Sequence, residues 1–81
     1  MSNNDFRKYI ESIGFKYYKE DSNAFRYDYK SHLDVNKYRI DMYNDHYEFF
    51  NGYKWIYYIK LDDLTPLKKV ERSYKLKKIL G

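Results

Sequence analysis

The acidic and histidine side chains are the first candidates for chemistry in this 81-residue chain. Asp28-Tyr29-Lys30, with Asp21 upstream, faintly follows the acid-x-lysine arrangement in which carboxylates hold a metal and a lysine steadies an attacking water. Such triplets arise by chance constantly, and no glycine-rich phosphate loop and no serine or threonine beside a plausible base accompanies this one. His32 and His46 stand at no recognised ligand spacing, and there is no cysteine, which removes thiolate catalysis, disulfides and cysteine-based zinc sites together. Asp62-Asp63 suits the end of a strand and the positive N-terminus of a following helix better than a metal site. The expectation is therefore a protein that is not an enzyme and holds no metal and no small-molecule cofactor, so function has to be read from surfaces.

Two surfaces stand out by composition. The chain has 12 Tyr, 5 Phe and 1 Trp, more rings than a small core can hide, and exposed rings offer flat contact area at low entropic cost. The charge is as uneven. From residue 64 onward Lys68, Lys69, Arg72, Lys75, Lys77 and Lys78 face Glu71 alone, a local net of +5 in a chain whose net is +4. That asymmetry suits a nucleic acid or an acidic partner.

The elements that must position these residues follow from local patterns. Ser2, Asn3 and Asn4 are candidate N-caps for a short helix with Phe6, Tyr9, Ile10 and Ile13 at helical spacing and Gly14 as the residue after its C-cap. Residues 15–19 (FKYYK) and 24–30 (AFRYDYK) are rich in strand formers around a turn at residues 20–23. In the second, Phe25, Tyr27 and Tyr29 alternate with Arg26, Asp28 and Lys30, the pattern of one packed and one wet face. A loop over residues 31–36, with His32 solvated in it, leads to three further strands within residues 37–61.

Asn51-Gly52 is a strong signal for a two-residue hairpin turn, because the pair tolerates positive φ at both central positions. If Asn44-Asp45 forms a two-residue turn as well, Tyr43 opposes His46 and Phe50 opposes Tyr53. Tyr38, Ile40, Met42, Tyr47, Phe49, Ile56 and Tyr58 then share a core-like face. Arg39, Asp41, Tyr43, His46, Glu48, Phe50, Tyr53, Trp55 and Tyr57 share the other, which Ile59 and Leu61 extend. A three-residue first turn would flip the strand over residues 37–43. Thr65 as N-cap and Pro66 at the first helical position open a basic C-terminal helix. Its apolar stripe of Leu67, Val70 and Tyr74 gives way to Leu76, Ile79 and Leu80 on a rotated face, so a bend or end near Ser73 is expected.

The expected architecture is α+β: one domain over residues 1–81, with an N-terminal helix, an antiparallel meander of about five strands and a basic C-terminal helix. No apolar run approaches a membrane span and the N-terminus lacks a secretion-signal core, so a cytoplasmic protein that does not enter a membrane is expected. Tyr43, Phe50, Tyr53, Trp55 and Tyr57 with Arg39 form the candidate partner-binding platform, unless a helix lies over it. Lys68, Lys69, Arg72, Lys75, Lys77 and Lys78 form the candidate contact to nucleic acid or an acidic partner.

In size and plan the chain, with its short first helix, Asn51-Gly52 hairpin and terminal helix, resembles small phage- or prophage-encoded accessory proteins, including anti-CRISPR inhibitors. The resemblance implies a stoichiometric inhibitor in the bacterial cytoplasm that binds a host protein or ribonucleoprotein, a CRISPR effector first, with its guide RNA among the contacts. The alternative from the residues alone is a free RNA or single-stranded DNA binder using the aromatic sheet and the basic helix.

Overall fold

The computed structural model describes residues 1–30 and 37–80. The loop expected over residues 31–36, and His32 within it, lie outside the described residues. The elements are α1 (Asn3–Ser12), β1 (Lys16–Asp21), β2 (Ala24–Lys30), β3 (Lys37–Met42), β4 (His46–Phe50), β5 (Trp55–Lys60), a 3-10 turn (Thr65–Leu67) and α2 (Lys68–Leu80). The strands pair in chain order as one antiparallel meander, with β1 and β5 at the edges. This is the expected α+β plan.

α1 begins where Ser2, in extended conformation, accepts a hydrogen bond from the Asp5 amide at 3.1 Å, which satisfies one of the orphan donors of the first turn. It ends through Ile13 and a left-handed Gly14 at φ 108°. Phe6, Ile10 and Ile13 join Phe15, Tyr27, Tyr29, Ile40, Met42, Tyr47, Phe49, Ile59, Leu61, Leu67 and Val70 in one buried cluster. Both helices therefore pack on the same side of the sheet, against the face that carries Tyr27, Ile40, Met42, Tyr47 and Phe49.

Tyr47 and Tyr27 serve in this core because each fully buried ring has a partner for its oxygen, whereas the buried Tyr9 hydroxyl has none among the described residues. Tyr47 is fully buried against Phe6, ring centroids 4.6 Å apart, and its hydroxyl donates to the Asp63 carbonyl at 2.6 Å. Tyr27 accepts from Arg7 Nε at 2.8 Å. Burial pushes the ionisation of Tyr47 well above the usual tyrosine value, and raises that of Tyr9 and Tyr43 as well. The unfolded chain ionises these phenols from about pH 10, while the fold holds them neutral. The stability these phenols contribute is thus expected to stay level from neutral pH to about pH 10 and to fall as pH climbs past it, since unfolding then releases protons. Urea midpoints at pH 8 and pH 11 test this, and Tyr47→Phe, which loses about 1 kcal/mol at neutral pH with its hydrogen bond, should show a smaller alkaline loss.

Several details differ from the sequence-based expectation, each for a local reason. In the first hairpin β1 runs on to Asp21, so the turn is Ser22-Asn23, with Ser22 at φ 55°, and Phe15 precedes the strand as a core residue. The Asn44-Asp45 turn has two residues as read: Met42 faces Tyr47, and the Tyr43 amide donates to the His46 carbonyl at 2.8 Å. The last hairpin is displaced. Phe50 pairs with Trp55, Asn51 N donates to the Lys54 carbonyl, and the central residues are Gly52-Tyr53, with the positive φ (97°) at Gly52 that a type II′ turn requires. Asn51 serves from outside the centre, its side chain accepting from the Tyr53 and Lys54 amides at 2.9 and 3.0 Å.

Because this shift is two residues in register, it leaves the faces unchanged as far as Tyr57. A bulge then changes them. Phe49 pairs with Ile56 but Tyr47 with Ile59, so Tyr57 and Tyr58 both stand opposite Glu48, with Tyr58 at φ 56°. Tyr58, expected in the core, is 79% exposed, whereas Ile59 and Leu61, expected on the platform, are buried. Beyond β5, Thr65 does not cap. It lies inside the 3-10 turn, its amide held by Asp63 Oδ1 at 3.1 Å, and Pro66 supplies the helical φ. α2 does not break near Ser73. It continues to Leu80 and leaves Leu76 and Ile79 exposed.

Candidate functional site

The sheet face away from the helices is the candidate site. Its residues fall into cross-strand rows set by the register. Lys16, Asp28, Arg39, Phe50 and Trp55 are successive partners in one row, and Arg26, Asp41 and Glu48 in the next, with Lys19 opposite Arg26. In an antiparallel sheet such directly opposed side chains are contact pairs. Arg26 grips Asp41 with two bonds of 2.8 and 2.9 Å, and Arg39 grips Asp28 with two of 2.8 and 3.3 Å. Lys37 Nζ reaches the same Asp28 at 3.6 Å. Two arginine forks therefore cross-link β2 and β3 on the open face, and the bidentate bonds to Asp41 hold the Arg26 guanidinium in its charged form.

Rings occupy the β4–β5 side. Phe50 meets Trp55 at 5.5 Å, and Trp55 lies nearly parallel to Tyr57 at 6.5 Å. Farther along, His46 is sandwiched between Tyr43 and Tyr58, each centroid 4.5 Å away and the planes within 14°. His46 Nδ1 lies 2.6 Å from Asp45 Oδ1, and that hydrogen bond holds the Asp45 carboxyl below its ordinary range. Tyr57 and Tyr58 are 62% and 79% exposed, while Tyr43, Phe50 and Trp55 are half-buried by their neighbours. β1 mirrors the β5 bulge. Tyr17 pairs with Tyr27 but Lys19 with Arg26, so Tyr18 and Lys19 both stand opposite Arg26, and Tyr18 comes within 5.9 Å of the Arg39 guanidinium. Each edge strand thus uses one extra residue to add a tyrosine to the open face.

Of the platform residues read from the sequence, Arg39, Tyr43, Phe50, Trp55 and Tyr57 share this face. Tyr53 does not belong with them. It sits at the hairpin tip, 83% exposed, on the rim of a different cleft of about 500 Å³ between the sheet and α2, together with Tyr38, Phe49, Ile56, Lys69 and Ser73. The face also carries His46, as its register predicts, and gains Tyr18 and Tyr58. His46 was legible from the turn register, whereas the two tyrosines depend on bulges that no residue pattern announces.

The basic helix is on the opposite side of the sheet. Glu71 pairs with Lys68 and Lys75 at 3.6 and 3.5 Å, and Lys78 lies over the Tyr74 ring at 4.9 Å. Lys69 lines the α2 cleft, Arg72 is exposed and Lys77 is half-buried. The two sets of candidate contact residues are therefore back to back, and no single flat partner touches both.

The acid-x-lysine arrangement does not assemble. Asp28 is occupied by Arg39 and Lys37, and Asp21, opposite Ala24, lies four positions along β2 from the Lys16-Asp28 pair, about 13 Å along the sheet. Among the described residues no three His, Asp or Glu side chains gather as a metal site. Among the described residues no helix is long and apolar enough to cross a membrane. Comparison with protein-family models, curated proteins and solved structures finds no match to this chain.

Proposed function

We propose that this is a non-enzymatic binding protein, a small phage-type inhibitor of the anti-CRISPR kind that acts in the bacterial cytoplasm and docks on a host nucleic-acid-processing defence complex through its open aromatic face. The observation that carries the reading is the ring row Phe50, Trp55, Tyr57 and Tyr58, uncovered by either helix and bordered by arginine-carboxylate pairs. Tyr, Trp and Arg in this arrangement are the residue types that dominate binding hot spots, and two bulged edges that add rings to one face suit a surface built for contact. Half-buried Phe50 and Trp55, each fixed by the other, lose little side-chain freedom on binding.

The test is capture of tagged protein from bacteria carrying a defined CRISPR effector, beside a phage restriction assay. Recovery of the effector in stoichiometric amount, with restriction relieved and both effects lost in Trp55→Ala/Tyr57→Ala, is the expected result. Intact restriction and no recovered effector across the candidate defence systems would remove the inhibitor reading.

A further inference from the structure

The open face is not electrically uniform, and its polarity points to a ligand. At one end Lys16, Lys37 and Arg39 share a single carboxylate, Asp28, an excess of two positive charges. Lys37, Arg39, Phe50 and Trp55 line a concavity of about 220 Å³ there, two cations on one wall and two rings on the other. At the far end Asp41 and Glu48 are matched by Arg26 and Lys19 in the same row, and the charges there cancel. An anion is drawn to the first end and gains nothing at the second.

We propose that this notch takes an unpaired nucleotide of a single-stranded nucleic acid, the base against Phe50 and Trp55 and the phosphate between Lys37 and Arg39. The proposal rests on the open face being the working surface and gives that face a ligand class. Every base offers a π-face to an aromatic platform, while the cations hold the backbone, so such sites bind strands with little sequence preference. A duplex, its bases stacked on each other, cannot present one. The positive excess is confined to the notch, so the footprint is a few nucleotides and α2, on the opposite face, takes no part.

Trp55 is the only tryptophan in the chain, so its fluorescence reports the notch directly. The experiment titrates the purified protein with ten-nucleotide oligo-U RNA, oligo-dT DNA and a duplex of equal length, at 50 and 200 mM salt. Saturable quenching by the RNA, the DNA or both is expected, with weak or absent response to duplex; the relative strength of the RNA and DNA arms identifies the source. Two to three neutralised phosphates predict about a tenfold loss of affinity between the two salt concentrations. Lys37→Glu, on an exposed side chain, should weaken binding at least fivefold with an unchanged circular dichroism spectrum, whereas Lys75→Glu/Lys78→Glu on α2 should leave it unchanged.

No quenching at 50 mM salt, equal affinity for duplex, or binding that survives Lys37→Glu and disappears with the α2 charges would each overturn the proposal. If oligonucleotides fail while effector capture remains Trp55-dependent, the nucleotide site falls and the protein-docking function stands. If both fail, the open face is not the working surface and both readings fall.

Discussion

Gly14→Ala is expected to destabilise the fold by about 3 kcal/mol, from two additive causes. The residue holds φ 108°, where an L side chain is strained by about 1–2 kcal/mol. A Cβ added there would also lie 2.2 Å from Tyr29 Cε2, 2.5 Å from Cδ2 and 3.0 Å from a Tyr74 ring carbon. The Tyr29 ring cannot simply turn aside, since it packs between Phe15 at 5.6 Å, Tyr38 at 5.9 Å and Tyr74 at 6.2 Å, and forcing it costs about 1–3 kcal/mol as overpacking does elsewhere. For a domain of this length the total is a large share of a stability of about 4–12 kcal/mol. Urea unfolding would show the midpoint falling by about 2 M or more with an unchanged slope. The steric half is separable: in a Tyr29→Leu background, Gly14→Ala should cost about 1–2 kcal/mol less. Equal cost in both backgrounds would mean that the ring contact contributes nothing.

Gly14 also marks how far the sequence reaches. Its role as the residue after the C-cap was legible, as were a cap among Ser2, Asn3 and Asn4, both helices and the meander of about five strands, because each rests on chemistry within a few residues. The Asn44-Asp45 register was legible for the same reason. What the sequence hid was the energetic competition at the last hairpin. Asn51-Gly52 can centre a turn, but a glycine at the first central position serves equally, and Asn51 then satisfies two amides from the flank. The bulge at Tyr57-Tyr58 was less legible still. Alternation along residues 55–61 (WIYYIKL) fits either phase, and what decides it is burial: Ile56, Ile59 and Leu61 all face the core only if one residue is inserted between them. Aliphatic burial outweighs the strain of one residue at φ 56°.

The same competition explains why the candidate site was seen in part. The alternating charges of β2 and β3 announce a wet face, yet their pairing into Arg26-Asp41 and Arg39-Asp28 needs the register across the loop between the strands, which local pattern does not supply. The basic residues near the C-terminus are expected from the sequence to form a second surface that works together with the rings. A helix joined to the sheet by a short turn packs on whichever face carries its apolar partners, and Leu67 and Val70 found theirs beside Phe6 and Ile10. Composition told which residues were available for contact, while topology decided which of them share a side.

Arg26→Ala should be the most damaging single change on the open face, costing about 3 kcal/mol, and should exceed Asp41→Ala. Asp41 is the one buried charged residue in the described chain, 7% exposed, and its carboxylate depends on the two Arg26 bonds. Without the guanidinium it is left unpaired and directly opposite Glu48, so a desolvated charge also meets a like charge across the ladder. Removing Asp41 instead leaves Arg26, the more exposed partner at 21%, facing the Glu48 carboxylate one strand farther on. Breaking the pair from the acid side is therefore expected to cost about 1–2 kcal/mol. Arg26→Leu/Asp41→Leu, which removes both charges and fills the space with hydrocarbon, should come within about 1 kcal/mol of the parent or exceed it, as replacement of buried ion pairs often does. Urea midpoints of the four proteins decide the matter, and Asp41→Ala costing as much as Arg26→Ala would show that the Glu48 repulsion is negligible. The double leucine variant carries the functional corollary. The pair is neutral and lies away from Phe50 and Trp55, so the double variant should leave oligonucleotide binding, and the effect of Lys37→Glu on it, unchanged.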